Sequence, residues 1–180
     1  MNEKRITLPL DEETVRDLRA GDKVLLSGEM LTARDAAHRR FDETRMRGEE
    51  LPVDLAGETV YYMGPSPAKE GQIIGSAGPT TAGRMDKYTP ALLKAGLRGM
   101  IGKGRRSDAV KNAMREYGAV YFAAIGGCGA LLSTCITASE VVCYEDLGTE
   151  AVRRITVKDF PCIVAVDCLG GDLYQSANQE

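Results

Sequence analysis

The chain has one histidine, no C-x-x-C pair and no run of lysine and arginine. No apolar stretch approaches the ~20 residues of a membrane span. Each absence removes a class of function. Five cysteines (Cys128, Cys135, Cys143, Cys162 and Cys168) invite a metal or cluster reading, but their spacings fit neither zinc nor iron–sulfur ligation, and His38 is far away in sequence. Cys135, Cys143 and Cys162 sit within apolar runs, where a free thiol behaves as a small hydrophobe. The cysteines therefore read as structural, and no metal site is expected in this chain. A net charge of −3 without a basic stripe gives no footprint for nucleic acid. The absence of a long apolar run argues against a membrane partner, and the polar start Met-Asn-Glu-Lys-Arg lacks a signal-peptide core. An odd cysteine count fits a reducing compartment, so a cytoplasmic protein is expected.

What is present suits a globular enzyme or binding domain. At 180 residues with 43% hydrophobic and 27% charged side chains, residues 1–180 are expected to form a single domain with a real core. Twenty glycines point to tight turns and close approaches of backbone to ligand. Taken in order, residues 5–21 read as a polar arm and a short helix from Asp11 to Leu18. Lys23–Ser27 reads as a strand, with Gly28 opening a turn. Thr32 and Asp35 have the form of a capping box, which predicts a helix from Ala33 to about Arg47 with Arg34 in its first turn. A cation there opposes the helix dipole and hints at an anionic partner. His38 lies one turn along the same face, a packing or surface residue before it is a ligand.

Thr59–Met63, Gln72–Ser76, Arg98–Gly102, Ala119–Ile125, Val141–Tyr144, Arg153–Val157 and Cys162–Val166 read as further strands. Thr89-Pro90 starts a helix that Gly96 stops, and Ser107 caps a helix Asp108–Tyr117 ended by Gly118. Gly126-Gly-Cys-Gly leads into an apolar helix near Ala130–Ile136. Strands alternating with roughly ten-residue helices predict an α/β fold, a mixed sheet with flanking helices.

Residues 78–86, Gly-Pro-Thr-Thr-Ala-Gly-Arg-Met-Asp, carry the most chemistry. Turn-forming residues alone would explain Gly78 and Pro79. Thr80 and Thr81 add two adjacent hydroxyls, and Arg84 adds a planar cation suited to a carboxylate or phosphate. Arg34, Thr80/Arg84 and Lys103 each follow a predicted strand, and ligands on α/β sheets gather at the carboxyl ends of strands. The loops are expected to converge on one rim, where the charges of Arg34, Arg84 and Lys103 should repel in the empty site and would suit a dicarboxylate.

The runs Leu-Ser-Gly-x5-Arg-Asp-Ala-Ala-His-x-Arg, Gly-Pro-Thr-Thr-Ala-Gly-Arg-Met-Asp and Met-Ile-Gly-Lys-Gly resemble the class I (iron–sulfur) fumarate hydratase and L(+)-tartrate dehydratase family. The likeness is to its β subunit, the carboxy-terminal domain of the fused enzymes, and covers nearly the whole chain through Tyr-Glu-Asp-Leu-Gly-Thr-Glu-Ala and Gly-Asp-Leu-Tyr. The resemblance implies a swivelling β/β/α fold and reversible hydration of a C=C bond, as in fumarate to (S)-malate. It implies a [4Fe–4S] cluster held by a separate α subunit and none bound by this chain. Carried over by motif, Thr80 is the base for the C3 proton, Arg34, Arg84 and Lys103 hold carboxylates, and Thr81 assists by hydrogen bonding. Fumarate and tartrate are not separated by these residues, since both present two carboxylates at similar spacing. A non-catalytic anion-binding or interaction module on the same fold is the alternative of a different class.

Overall fold

The computed structural model describes residues 3–124 and 129–176. Residues 125–128, with Cys128 and the end of the expected Ala119–Ile125 strand, lie outside them. The described residues build a seven-stranded mixed sheet: β1 (Lys4–Thr7), β2 (Lys23–Thr32), β3 (Thr59–Tyr61), β4 (Gly99–Gly102), β5 (Val120–Ala124), β6 (Ile136–Cys143) and β7 (Val152–Val166). Strands β1 to β5 pair in parallel with their neighbours in order. β7 runs antiparallel to β2, β5 and β6, so β2-β3-β4-β5-β7 close into a ring. The helices are α1 (Glu12–Asp17), α2 (Asp35–Met46), α3 (Thr89–Lys94), α4 (Asp108–Tyr117), α5 (Gly129–Thr134) and α6 (Leu173–Ser176). None of the described helices is long and apolar enough to cross a membrane.

Alternation along the strands sorts the core into two clusters. Tyr61, Ile101, Phe122 and Val164 lie side by side across four strands and share one cluster. Their chain neighbours Val60, Met100 and Tyr121, with Val166, point the other way and pack with Phe41 of α2, Leu92 of α3 and Met114 of α4. Helix α4 follows its sequence signals closely. The Ser107 hydroxyl accepts from Val110 N at 3.3 Å, and Gly118 closes the helix at φ 76°.

Several expectations fail for identifiable reasons. The polar arm contains a parallel edge strand, β1, because Lys4–Thr7 pair with Val24–Ser27. Gly28 is not a turn; β2 runs through it to Thr32. Its φ of 129°, and the Leu8 carbonyl 2.7 Å from where a Cβ would stand, demand glycine at that crossing. Opposite it, Lys158 and Asp159 together face Ser27, and Asp159 adopts a φ of 51°. This bulge bends β7 without breaking it, so the two expected strands Arg153–Val157 and Cys162–Val166 are one. Thr32 does not cap α2, because its hydroxyl is buried and accepts from Arg153 N at 3.3 Å. Arg34 is the N-cap residue rather than part of the first turn, and the Glu150 carboxylate serves the helix end by accepting from Ala36 N at 3.3 Å. Gln72–Ser76 forms no strand. Its hydrogen bonds go to loop residues instead of a strand, with Gln72 N donating to Lys69 O, Ser66 N to Ser76 O and Ser76 N to the Ser66 hydroxyl.

Candidate active site

The carboxyl ends of β2, β3 and β4 are tied together by backbone hydrogen bonds. Ala33 N donates to Tyr61 O at 3.1 Å and Tyr62 N to Ile101 O at 2.8 Å. The Gly-Pro-Thr-Thr segment crosses this edge as a short extra strand. Thr80 N donates to Tyr62 O at 2.7 Å, Lys103 N to Thr80 O at 3.2 Å, and Ala82 N to Lys103 O at 2.8 Å. Thr81 and Lys103 thereby form an isolated parallel bridge. Gly102 makes the approach possible, since a Cβ there would sit 2.8 Å from the Tyr62 ring and 3.3 Å from Thr80 O. Buried tyrosines fix the flanks. The Tyr61 hydroxyl donates to Ala77 O at 2.5 Å, and the Tyr121 hydroxyl to Gly104 O at 2.9 Å.

Arg84 stands on the 3-10 turn Ala82–Met85 that follows, and its guanidinium pairs with the Asp35 carboxylate. Asp35 adjoins Arg34, whose Nε lies 3.3 Å from Glu150 Oε1. One ion pair thus joins the Thr80 segment to the end of β2, and one bridge joins it to the end of β4. Arg34, Thr80, Thr81, Arg84 and Lys103 all stand on this edge. The expectation of bare, mutually repelling cations is corrected: both arginines already have carboxylate partners. The Thr80 and Thr81 hydroxyls and the Lys103 ammonium are the groups that make no side-chain bond or ion pair among the described residues.

Beneath the edge lies a residue that sequence reading missed. Arg106 has a side chain with 0% exposure. Its Nε donates to Asp86 Oδ1 at 2.7 Å, and its Nη2 to the Tyr62 hydroxyl at 3.1 Å and to Thr89 Oγ1 at 3.0 Å. It also stacks at 5.2 Å and 4.9 Å from the Tyr62 and Tyr121 ring centres. Burial opposes its charge, but the Tyr62 and Asp86 oxygens outweigh that cost and raise its pKa. Asp86 Oδ2 also accepts from Ser107 N at 2.8 Å, so the pair clamps both site loops onto β3 and β4. The only sequence signal was Asp86 at the end of the nine-residue run; nothing distinguishes Arg106 from exposed Arg105.

His38 is a packing residue. It is fully buried, edge-on to Tyr62 at 5.4 Å and Phe41 at 6.0 Å. Its Nδ1 lies 2.8 Å from Arg34 O, and burial lowers its pKa to about 4, so the neutral ring holds the Arg34 carbonyl. Two buried polar atoms here, His38 Nε2 and Asp35 Oδ1, make no hydrogen bond among the described residues.

Among the described residues no three His, Cys, Asp or Glu side chains come together as metal ligands. Burial raises the thiol pKa of Cys162 strongly and those of Cys135 and Cys143 as well, as expected of packing residues.

The family described as Fumarase C-terminus matches residues 1–177. The chain is 41% identical over 155 residues to an aerobic class I fumarate hydratase of Salmonella typhimurium, covering 85% of this chain and 27% of the relative. It is 40% identical over 157 residues to fumarate hydratase 2 of Leishmania major, covering 86% of this chain and 28% of that protein. A putative L(+)-tartrate dehydratase subunit beta of Methanocaldococcus jannaschii is 36% identical over 177 residues, 95% of this chain and 91% of the subunit. The chain therefore spans little more than a quarter of these fumarate hydratases and nearly all of the tartrate dehydratase subunit. With its sequence matched almost end to end, the chain belongs to the Fumarase C-terminus family, which class I fumarate hydratases and the tartrate dehydratase β subunit share.

Proposed function

We propose that this chain is the β subunit of an iron–sulfur hydro-lyase that hydrates fumarate to (S)-malate reversibly, at a site completed by a cluster-bearing α subunit. The observation that carries this reading is one edge bearing two oriented arginines beside two hydroxyls and an ammonium that have no side-chain partner. Arg34 and Arg84 suit the two carboxylates of a small dianion, each as a planar fork held from behind by Glu150 or Asp35. Lys103 adds a point charge next to Thr81, where a third oxygen of the substrate can be met.

In the dehydration direction a base removes the C3 proton of malate as hydroxide leaves C2, and negative charge builds on the neighbouring carboxylate. Preorganised cations stabilise that charge more than they stabilise the ground state. Thr80 is the proposed base, with Thr81 orienting. A threonine hydroxyl is a poor base unaided, so an ionised group of the partner must take its proton. A cluster held by the partner would supply Lewis-acid activation of the departing hydroxyl. The described residues offer it no ligands, so in this reading the partner holds it.

Dehydration of L(+)-tartrate is the second reading. It is favoured by one observation, the match to nearly the whole length of the tartrate dehydratase subunit. The test is co-purification with a cluster-bearing subunit under anaerobic conditions, followed by product analysis with fumarate, malate and L(+)-tartrate. Turnover of one acid by the complex, with neither iron nor turnover in the isolated chain, supports the proposal. Stoichiometric iron and sulfide in the isolated chain would overturn the two-subunit reading. A loaded complex that binds these dianions without converting them would make the chain an anion-binding module.

A further inference from the structure

A concave surface lies at the opposite edge of the sheet, where β4 and β5 begin. A cleft of about 660 Å³ opens there between α1, the end of α4 and the turn after β7. Arg16, Arg19, Arg98 and Arg115 line it against Glu12 and Glu116. This leaves an excess of two positive charges in a chain whose net charge is −3. Arg16 is paired, with Nη2 2.6 Å from Glu12 Oε1. Arg19, Arg98 and Arg115 make no ion pair among the described residues.

Two of these three are already oriented. Arg19 Nη1 donates to Leu18 O at 2.9 Å and also to Arg16 O. Arg115 Nη2 donates to Asn112 Oδ1 at 2.6 Å. Arg98 is half-buried on the residue before β4, within Coulombic reach of Asp11. The remaining lining is apolar, with Val15 and Cys168 buried, while Tyr117 and Leu169 are 40% and 62% exposed. Asp11 lies within Coulombic reach of Arg98 and Asp22 of Arg19, yet the recess still sets two carboxylates among four guanidinium groups. Their planar forks match phosphate oxygens, and the volume lies within the ~300–1,000 Å³ of small-molecule sites.

We propose that this cleft binds a phosphorylated organic anion with a planar ring, of the nucleoside polyphosphate class. Its phosphates sit on Arg19, Arg98 and Arg115, and its ring lies against Tyr117 and Leu169. The site is separate from the edge that carries Thr80, and the proposal does not depend on the hydro-lyase reading.

The test is calorimetric titration of the full chain with ATP, ADP and inorganic pyrophosphate at low ionic strength. One nucleotide should bind per chain, several-fold tighter than pyrophosphate. Losing a charge-assisted hydrogen bond costs roughly tenfold in affinity. Arg98→Gln with Arg115→Gln should therefore weaken ATP by about that factor or more, the corresponding double lysine variant by less, and Arg84→Gln not at all. Tyr117→Ala should narrow the gap between ATP and pyrophosphate. Absence of saturable nucleotide binding, indifference to the double glutamine variant, or pyrophosphate binding as tightly as ATP would each overturn the proposal.

Discussion

Thr81 and Lys103 face each other across an isolated parallel bridge, which locks the Gly-Pro-Thr-Thr segment onto the end of β4. The bridge exists because residue 102 is glycine. With Ala at this position, the Cβ would press on the Tyr62 ring at 2.8 Å and on Thr80 O at 3.3 Å. Overpacking of this kind costs about 1–3 kcal/mol. Gly102→Ala should lose stability in that range in a denaturant titration and shift the Thr80 and Lys103 amide resonances. Unchanged stability and spectra would show that the segment is not held as described.

Arg106 predicts a larger effect. Removing one member of a buried ion pair costs about 3–5 kcal/mol, because the other charge is left without compensation. Arg106→Gln should destabilise the chain by that order. Arg106→Lys should recover only part of it, since an ammonium cannot bond Asp86, Tyr62 and Thr89 together in one plane. Equal stability of all three proteins would mean that the clamp contributes nothing.

The pH dependence follows from His38. Its folded pKa of about 4 lies below the ordinary 6.5, so the unfolded chain binds the proton more readily. Its contribution is complete above pH ~6.5 and is lost as pH falls towards 4, by roughly 3 kcal/mol over the window. His38→Phe, placed among Phe41, Tyr62 and Tyr88, should flatten the stability profile over this range. An equally steep profile in the variant would move the titration to another group.

The oriented arginines predict selective loss of anion binding. Malate or tartrate near 100 times its Kd should protect the chain with its partner by about 2.7 kcal/mol. Arg84→Lys and Asp35→Asn should each weaken this protection several-fold, the first by removing the fork and the second by releasing its anchor. Neither should shift the unliganded Tm much, since such a half-exposed pair contributes about 0–1 kcal/mol. Protection equal to wild type in both would make the arginines ordinary surface charges.

Sequence reading found the loops and missed what holds them. Ser107, Gly118 and the alternation in β3 to β5 are local signals, and α4 and the parallel strands follow them. The arrival of Arg34 and Lys103 on one edge was legible because each follows a strand in a parallel layer, whereas Thr80 and Arg84 reach it through a loop, since the strand expected at Gln72–Ser76 does not form. Glu150, Asp35 and Arg106 were not legible as partners. Glu150 reaches Arg34 from 116 positions away and Asp35 reaches Arg84 across 49, and charge type alone does not choose partners at such separations. Thr32 was misread because a capping-box spacing is local, whereas its hydroxyl is taken by Arg153 on β7.

The central claim is that the Thr80 hydroxyl takes the C3 proton, and Thr80→Val in the cluster-loaded complex tests it most directly. The substitution removes one oxygen while keeping shape, and the backbone bonds of Thr80 to Tyr62 and Lys103 do not involve that oxygen. Loss of a general base costs about 10²–10⁴ in rate. The account predicts a fall of that order in kcat, a parallel fall in exchange of the malate C3 hydrogen with solvent deuterium, little change in KM, and a smaller loss for Thr81→Val. Near-wild-type kcat and exchange in Thr80→Val at full cluster occupancy would contradict it and move the base to the partner subunit.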